Sequence, residues 1–173
     1  MPISILSASH DVHGFQSTHK PLDAYLKRFA LRNAAANLGR TYVFTERSSP
    51  VVLGYYTICT TGISRGIIPG HESLPRYDVI PALLLGRMAV CQSMQGRGLG
   101  RVLLSDALTQ AWEISKIAGA YLVAVDAKDE TARGFYEHMG FLELNDAPIH
   151  LFIPISTIVR NLEPPPPSGT SQN

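Results

Sequence analysis

Two cysteines, one tryptophan and a net charge of only +1 mark what this 173-residue chain does without. Cys59 and Cys91 lie in apolar, strand-like surroundings. A disulfide framework needs more and denser cysteines, so both are read as reduced thiols of a cytoplasmic protein. No apolar run approaches the roughly 20 residues that span a bilayer, and the opening MPISILSASHDVHG has no basic stretch ahead of its apolar residues. Membrane residence and export are therefore not expected. Among the six histidines only His10 and His13 stand close together, with no cysteine or carboxylate cluster beside them. They read as a solvated N-terminal arm, and no metal site is expected. The near-zero net charge gives no argument for a polyanionic partner, which leaves local clustering to decide that point.

The apolar pattern supplies the elements. PLDAYLKRFALRNAAANLG places Leu22, Tyr25, Leu26 and Phe29 at helical spacing, with Pro21 suited to a first turn and Gly39 to a stop. RTYVFTE and PVVLGYYTICT read as a hairpin joined by RSSP. The glycine- and proline-rich TGISRGIIPGHESLPRYDVIPA reads as a loop with room for a short helix. PALLLGRMAV is a buried strand in which Gly86 suggests a bulge or a close backbone approach. A long helix is predicted from Gly98 to Ala118, then a buried strand in AYLVAVDA, and a short helix capped by Asp129 and stopped by Gly140. FLEL and HLFIPIST close the pattern as strands. The order predicts one α/β domain over residues 1–162 with a mixed sheet, followed by a disordered proline-rich tail over residues 163–173.

Between PALLLGRMAV and the long helix lies QGRGLG, residues 95–100. A glycine-rich turn opening a helix exposes main-chain N–H groups at the positive end of the helix dipole, which suits phosphate or pyrophosphate. Gly98 and Gly100 leave room for a close approach, and Arg97 and Arg101 add charged donors. A tight connection with surface arginines would produce the same six residues. A nucleotide-binding P-loop is excluded because no lysine is followed by serine or threonine. The glycine spacing is also wrong for a dinucleotide fold.

These residues carry a resemblance. QGRGLG fits the Q/R-x-x-G-x-G/A motif of the GNAT N-acetyltransferase superfamily, and DETARGFYEHMGF resembles its N-x-x-A-x-x-F-Y-x-x-x-G-F signature, with Asp129 where asparagine is commoner. The resemblance implies a GNAT fold: a mixed, mostly antiparallel central sheet flanked by helices and splayed between its two central parallel strands. It implies acetyl-coenzyme A, its pyrophosphate on the N–H groups from Gly96 to Arg101 and its pantetheine along Met88, Ala89 and Val90. Gln95, Leu99, Asp129 and Phe135 complete the implied cofactor set, and Tyr136 falls where the family's general acid falls.

PALLLGRMAV contains no carboxylate or histidine to serve as a base. An ε-amine of pKa about 10.4 would need one, whereas an α-amine of about 7.7–8.0 is already partly neutral. That favours an α-amine acceptor. A narrower resemblance agrees: the N-terminal helix running into LGRTYVFTE, LPRY before the central strand and LGRMAV within it are similar to the TacT-type acetyltransferase toxins of bacterial toxin–antitoxin modules. Such likeness implies acetylation of the α-amine on aminoacyl-tRNA, a ribbon-helix-helix antitoxin and a homodimer. One departure is FQSTHKPLDAYL, which lacks the Cys-Gly pair such toxins often carry before the first helix. Lys27, Arg28, Arg32, Arg40 and Arg47 face only Glu46 in their segment, and Arg65, Arg76 and Arg87 add cations nearby. These are the candidate tRNA contacts, against the alternative of an ordinary solvated face and, for Arg87 beside a core strand, of a structural ion pair. The competing functions are a GNAT enzyme for a small-molecule or peptide amine, and a module that binds acetyl-coenzyme A or an antitoxin without turnover.

Overall fold

The computed structural model describes residues 3–162, so the expected proline-rich tail lies outside the described residues. The elements run β1 (Ile3–Ile5), α1 (Lys20–Arg28), α2 (Ala30–Ala35), β2 (Arg40–Thr45), β3 (Val52–Ser64), β4 (Val79–Val90), α3 (Leu99–Ala118), β5 (Leu122–Asp126), α4 (Glu130–His138), β6 (Leu142–Glu143), β7 (His150–Pro154) and α5 (Ile155–Leu162). The seven strands form one sheet in the order β1-β2-β3-β4-β5-β7-β6. Every pairing is antiparallel except β4 with β5. The mixed, mostly antiparallel sheet expected from the sequence is the one observed.

Four local readings change. The first helix breaks at Phe29 into α1 and α2, and ends at Asn37, whose φ of 56° supplies the left-handed stop assigned above to Gly39. The glycine- and proline-rich segment is partly strand: β3 and β4 pair out to Ser64↔Val79, leaving two single-turn helices at Arg65–Ile67 and His71–Ser73. Ile63 and Ile80 are buried there, so burial overrides the breaker residues. After Pro154 the chain turns into α5 and seats Ile158 in the core, where the sequence pattern extends a strand to Thr157. The N-terminal arm is packed rather than solvated: Leu6 and Phe15 are buried, and the Asp11 N–H donates to the Pro50 carbonyl at 2.7 Å.

The splay that positions the site follows from the register. β4 and β5 align only over Ala82–Leu84 and Leu122–Ala124. Beyond that point β4 stays paired with β3 as far as Val90↔Gly54, and β5 with β7 as far as Asp126↔His150. The two central strands therefore part, leaving a gap edged by strand backbone. Gly86 is the extra residue at the start of the gap, since Ile58 aligns with Leu85 and Thr57 with Arg87. Of the two readings of this glycine the bulge is present, and such bulges bend the strand that carries them.

Helices cover both faces. Leu103, Leu104 and Ala107 of α3 pack with Tyr56, Leu151, Ile153 and Ile158 on one side. Leu22, Tyr25 and Leu26 of α1 pack with Phe15, Val43 and Tyr55 on the other. The Tyr55 hydroxyl donates to the Leu22 carbonyl at 2.9 Å and pins α1 to the sheet. Gly54 of β3 lets α3 sit close: a Cβ there would lie 2.9 Å from Leu103 Cδ1 and 3.2 Å from Leu99 Cδ2. Gly54→Ala is therefore expected to cost about 1–3 kcal/mol by overpacking, read as a lower urea midpoint. A variant as stable as the parent would mean that α3 yields freely.

Candidate active site

The gap between β4 and β5 opens into a cavity of about 760 Å³. Its walls come from the C-terminal half of β4, the turn that starts α3, the first turns of α4 and the segment before α1. Met88, Ala89, Val90, Gln95, Gly96, Gly98, Leu99, Gly100, Asp129, Phe135 and Tyr136 all line it. Arg97 and Arg101 do not, so the sequence set meets in one place apart from these two side chains.

The turn presents unpaired main-chain donors. Gly96 and Gly98 hold φ values of 73° and 82°, conformations that glycine adopts freely, and a Cβ on either would meet no protein atom within 4 Å. Among the described residues the N–H groups of Gly96 through Gly100 make no backbone hydrogen bond. The Gly98 carbonyl accepts from the N–H groups of Arg101 at 3.1 Å and Val102 at 3.3 Å. That corrects one expectation: the main-chain donor of Arg101 is already used, and the free run ends at Gly100. Gln95 ties the turn to β4 by donating from Nε2 to the Val90 carbonyl at 3.2 Å. Five unpaired donors beside a helix N-terminus fit a pyrophosphate, and the unpaired edge of β4 fits an extended amide chain.

Tyr136 stands on α4 with its ring between Phe135 and Phe141, at centroid distances of 5.4 and 5.3 Å. Its hydroxyl has no protein partner, yet Arg65 Nε is the one buried side-chain polar atom without a partner among the described residues. The Tyr136 hydroxyl is therefore open to the cavity that its residue lines. Burial pushes this phenol well above its ordinary range, so it stays protonated. Phe135 packs over the turn, where a Cβ on Gly100 would touch its ring at 3.8 Å.

Asp129 is the N-cap of α4, its Oδ1 accepting from the Ala132 N–H at 2.8 Å while Oδ2 pairs with His19 Nε2 at 3.3 Å. The Ala132 bond, then His19, holds this carboxyl below its ordinary range. The bond to His19 draws the segment before α1 against α4 across the cavity. Ser17, Thr18 and His19 line the cavity too, and sequence patterns gave no sign of it because the contact joins residues 110 positions apart. Lys128 was also missed; it adjoins Asp129 but belongs to neither signature motif.

Of the basic candidates only Arg87 lines the cavity; Lys27, Arg28, Arg32, Arg40, Arg47, Arg65 and Arg76 do not. Arg40 closes the end of α2, donating to the Ala34 carbonyl and to Asn37 Oδ1, each at 2.9 Å. Arg32 stacks on Phe29 at 5.3 Å. Among the described residues there is no group of three or more histidine, cysteine, aspartate or glutamate side chains arranged for a metal ion. No helix of the described residues is long and apolar enough to cross a membrane.

The GNAT acetyltransferase domain model matches residues 37–143. A tRNA-acetylating toxin of Mycobacterium tuberculosis is 34% identical over 148 residues, covering 86% of this chain and 88% of the relative. AtaT complexed with acetyl-methionyl-tRNAfMet superposes with a TM-score of 0.87 at 30% identity, over 93% of this chain and 98% of that one. AtaTR bound with acetyl-coenzyme A gives 0.80 at 28% identity, over 93% and 97%. A tyrosine-to-phenylalanine mutant of the AtaT toxin bound to the C-terminus of the antitoxin AtaR gives 0.80 at 29%, over 92% and 96%. With both signature motifs folded around one cavity and more than half its length matched, the chain belongs to the GNAT acetyltransferase family.

Proposed function

We propose that this protein transfers acetyl from acetyl-coenzyme A to the α-amine of the amino acid on aminoacyl-tRNA, acting as the translation-blocking toxin of a toxin–antitoxin module. The observation that carries the reading is the convergence, in one cavity, of the free N–H groups of Gly96, Gly98, Leu99 and Gly100, an open strand edge and an unpartnered tyrosine hydroxyl. The tRNA-acetylating relative and the tRNA and antitoxin complexes of AtaT supply the acceptor and the module.

Acetyl-coenzyme A, when bound, supplies the activated acyl group. The N–H groups of Gly96–Gly100 donate to its phosphates, and the β4 edge at Met88, Ala89 and Val90 pairs with its pantetheine arm. A main-chain N–H near Ala89 or Val90 polarises the thioester carbonyl, and Tyr136 donates its phenolic proton to the departing sulfur. β4 brings no carboxylate or histidine into the cavity, and the aspartates that line it are Asp126 and Asp129, the latter tied to its cap and to His19. An α-amine that is already partly neutral at pH 7 needs little more than water as proton acceptor, and esterification lowers its pKa further. The cytoplasm is the compartment this substrate requires. A ribbon-helix-helix protein as antitoxin and a homodimeric toxin complete the proposal.

The test is transfer of radiolabelled acetyl into a mixture of charged and uncharged tRNA. Label is expected on charged tRNA alone and is expected to leave with the amino acid on mild alkaline hydrolysis. Equal labelling of both pools, or of neither, sinks the reading.

A further inference from the structure

Two cations line the cavity without a counter-ion. Arg87 stands on β4 and places its guanidinium over the Tyr25 ring, 3.8 Å from the centroid. Tyr25 is itself buried and stacked on Tyr55, so the platform is fixed. Stacking uses the face of a guanidinium and leaves its in-plane N–H fork free to donate. Ala89, two residues further along the strand, packs in the same cluster as Tyr25, which puts Arg87 on the α1 face of the sheet, away from the α3 core. Lys128, from the β5–α4 connection, lines the same cavity.

Neither cation has a carboxylate within ion-pair distance among the described residues. The nearby acids are engaged elsewhere. Asp23 Oδ1 accepts from the Ser17 N–H at 3.0 Å and the Ser17 hydroxyl at 2.6 Å. Asp129 serves its cap and His19. Asp126 lies 3.9 Å from His150 Nε2. Enclosure by the cavity wall, and secondarily the charge of Arg87, bring the Lys128 ammonium down to about 8, with Asp129 and Asp23 pulling the other way. Two charges that disfavour each other while facing one space are relieved by an anion placed between them.

We propose that Arg87 and Lys128 form a two-cation seat, on the acceptor side of the gap between β4 and β5, for the phosphodiester that joins the acceptor's terminal nucleoside to the rest of its chain. The seat rests on the aminoacyl-tRNA reading above. The donor's phosphates are provided for at the start of α3, which leaves this pair to the acceptor. Holding the last phosphodiester would set the distance from the RNA backbone to the acyl carbon. It would thereby favour amines carried on a nucleotide over free amino acids.

The experiment reads Lys128 directly. Protein loaded with coenzyme A is trace-labelled with an amine-reactive reagent at pH 8, and modification of Lys128 is followed by peptide mass spectrometry against Lys116. Two synthetic stem-loop RNAs ending in CCA are compared, one native and one with a neutral methylphosphonate at the last linkage. The native RNA is expected to slow Lys128 labelling about tenfold, the methylphosphonate RNA to leave it nearly unchanged, and Arg87→Met to abolish the protection. Lys116 labelling should not respond. Equal protection by two RNAs that both bind overturns the seat and leaves the tRNA reading intact. If the native RNA neither binds nor is acetylated when charged, the tRNA reading falls. Dimethyl phosphate, the bare diester anion, then decides: protection of Lys128 by it keeps the seat as an anion site, and no protection ends it.

Discussion

Replacing Tyr136 with phenylalanine is expected to lower kcat about 100- to 10,000-fold, the usual worth of a positioned proton donor. Binding of acetyl-coenzyme A should be unchanged. The separation is clean because the deleted oxygen has no protein partner. The ring that remains keeps its contacts with Phe135 and Phe141, so thermal stability should hold. Burial raises this phenol above its ordinary range, which fixes the pH behaviour. The proton to be donated is in place below that range and is lost only as pH rises through it. The wild-type rate should therefore climb as the acceptor amine loses its proton and show no descending limb up to about pH 10, where an unperturbed tyrosine titrates. A Tyr136→Phe enzyme with wild-type turnover removes this residue from the chemistry. A binding module without turnover would keep its stabilisation by acetyl-coenzyme A and have no rate to lose.

The second large effect is expected at Gly98. Its φ of 82° and ψ of 1° place it in the left-handed region at the N-cap of α3. A larger residue pays about 1–2 kcal/mol for that conformation, but its Cβ would meet no atom beyond its chain neighbours within 4 Å. Gly98 lines the cavity, so an added side chain is expected to crowd the free N–H groups of the turn. Gly98→Val should raise the apparent KM for acetyl-coenzyme A roughly 10- to 100-fold, equivalent to losing one or two charge-assisted hydrogen bonds. Its Tm should drop by only a few degrees. Gly100 is the companion test, because its φ is ordinary and a Cβ there would make a normal 3.8 Å contact with Phe135. Gly100→Val separates blocked access from backbone strain: it should raise KM with a smaller change in Tm. Stable variants at both positions with unchanged cofactor binding would move the phosphate site elsewhere.

The glycine turn and the N-cap at Asp129 were legible because each depends on neighbours within one strand–turn–helix unit, whereas Tyr136 was singled out by the family resemblance of DETARGFYEHMGF. At Gly86 the sequence allowed a bulge or a close backbone approach, and the register of β3 against β4 decides for the bulge. The extent of the β3–β4 hairpin was not, because Gly62 and Pro81 read as breakers while pairing and the burial of Ile63 and Ile80 keep them in the ladder. Nor was α5 legible, since Ile155–Leu162 is rich in β-branched residues and becomes helical by packing Ile158 against the core. The basic residues were visible as a count only, and folding sends Arg40 to the end of α2 while Arg87 alone of that set reaches the cavity.

Local pattern thus set the order of the elements, the glycine turn and the N-cap at Asp129, because hydrogen bonding within a turn or helix is decided over a few residues. Tertiary structure alone opened the gap between β4 and β5, since that depends on where three separate pairings stop. It also laid His19 against Asp129 and brought Lys128 to the cavity that Arg87 lines. Contacts between residues far apart in the chain follow from how helices and sheet bury their apolar faces, and no short stretch of sequence encodes them.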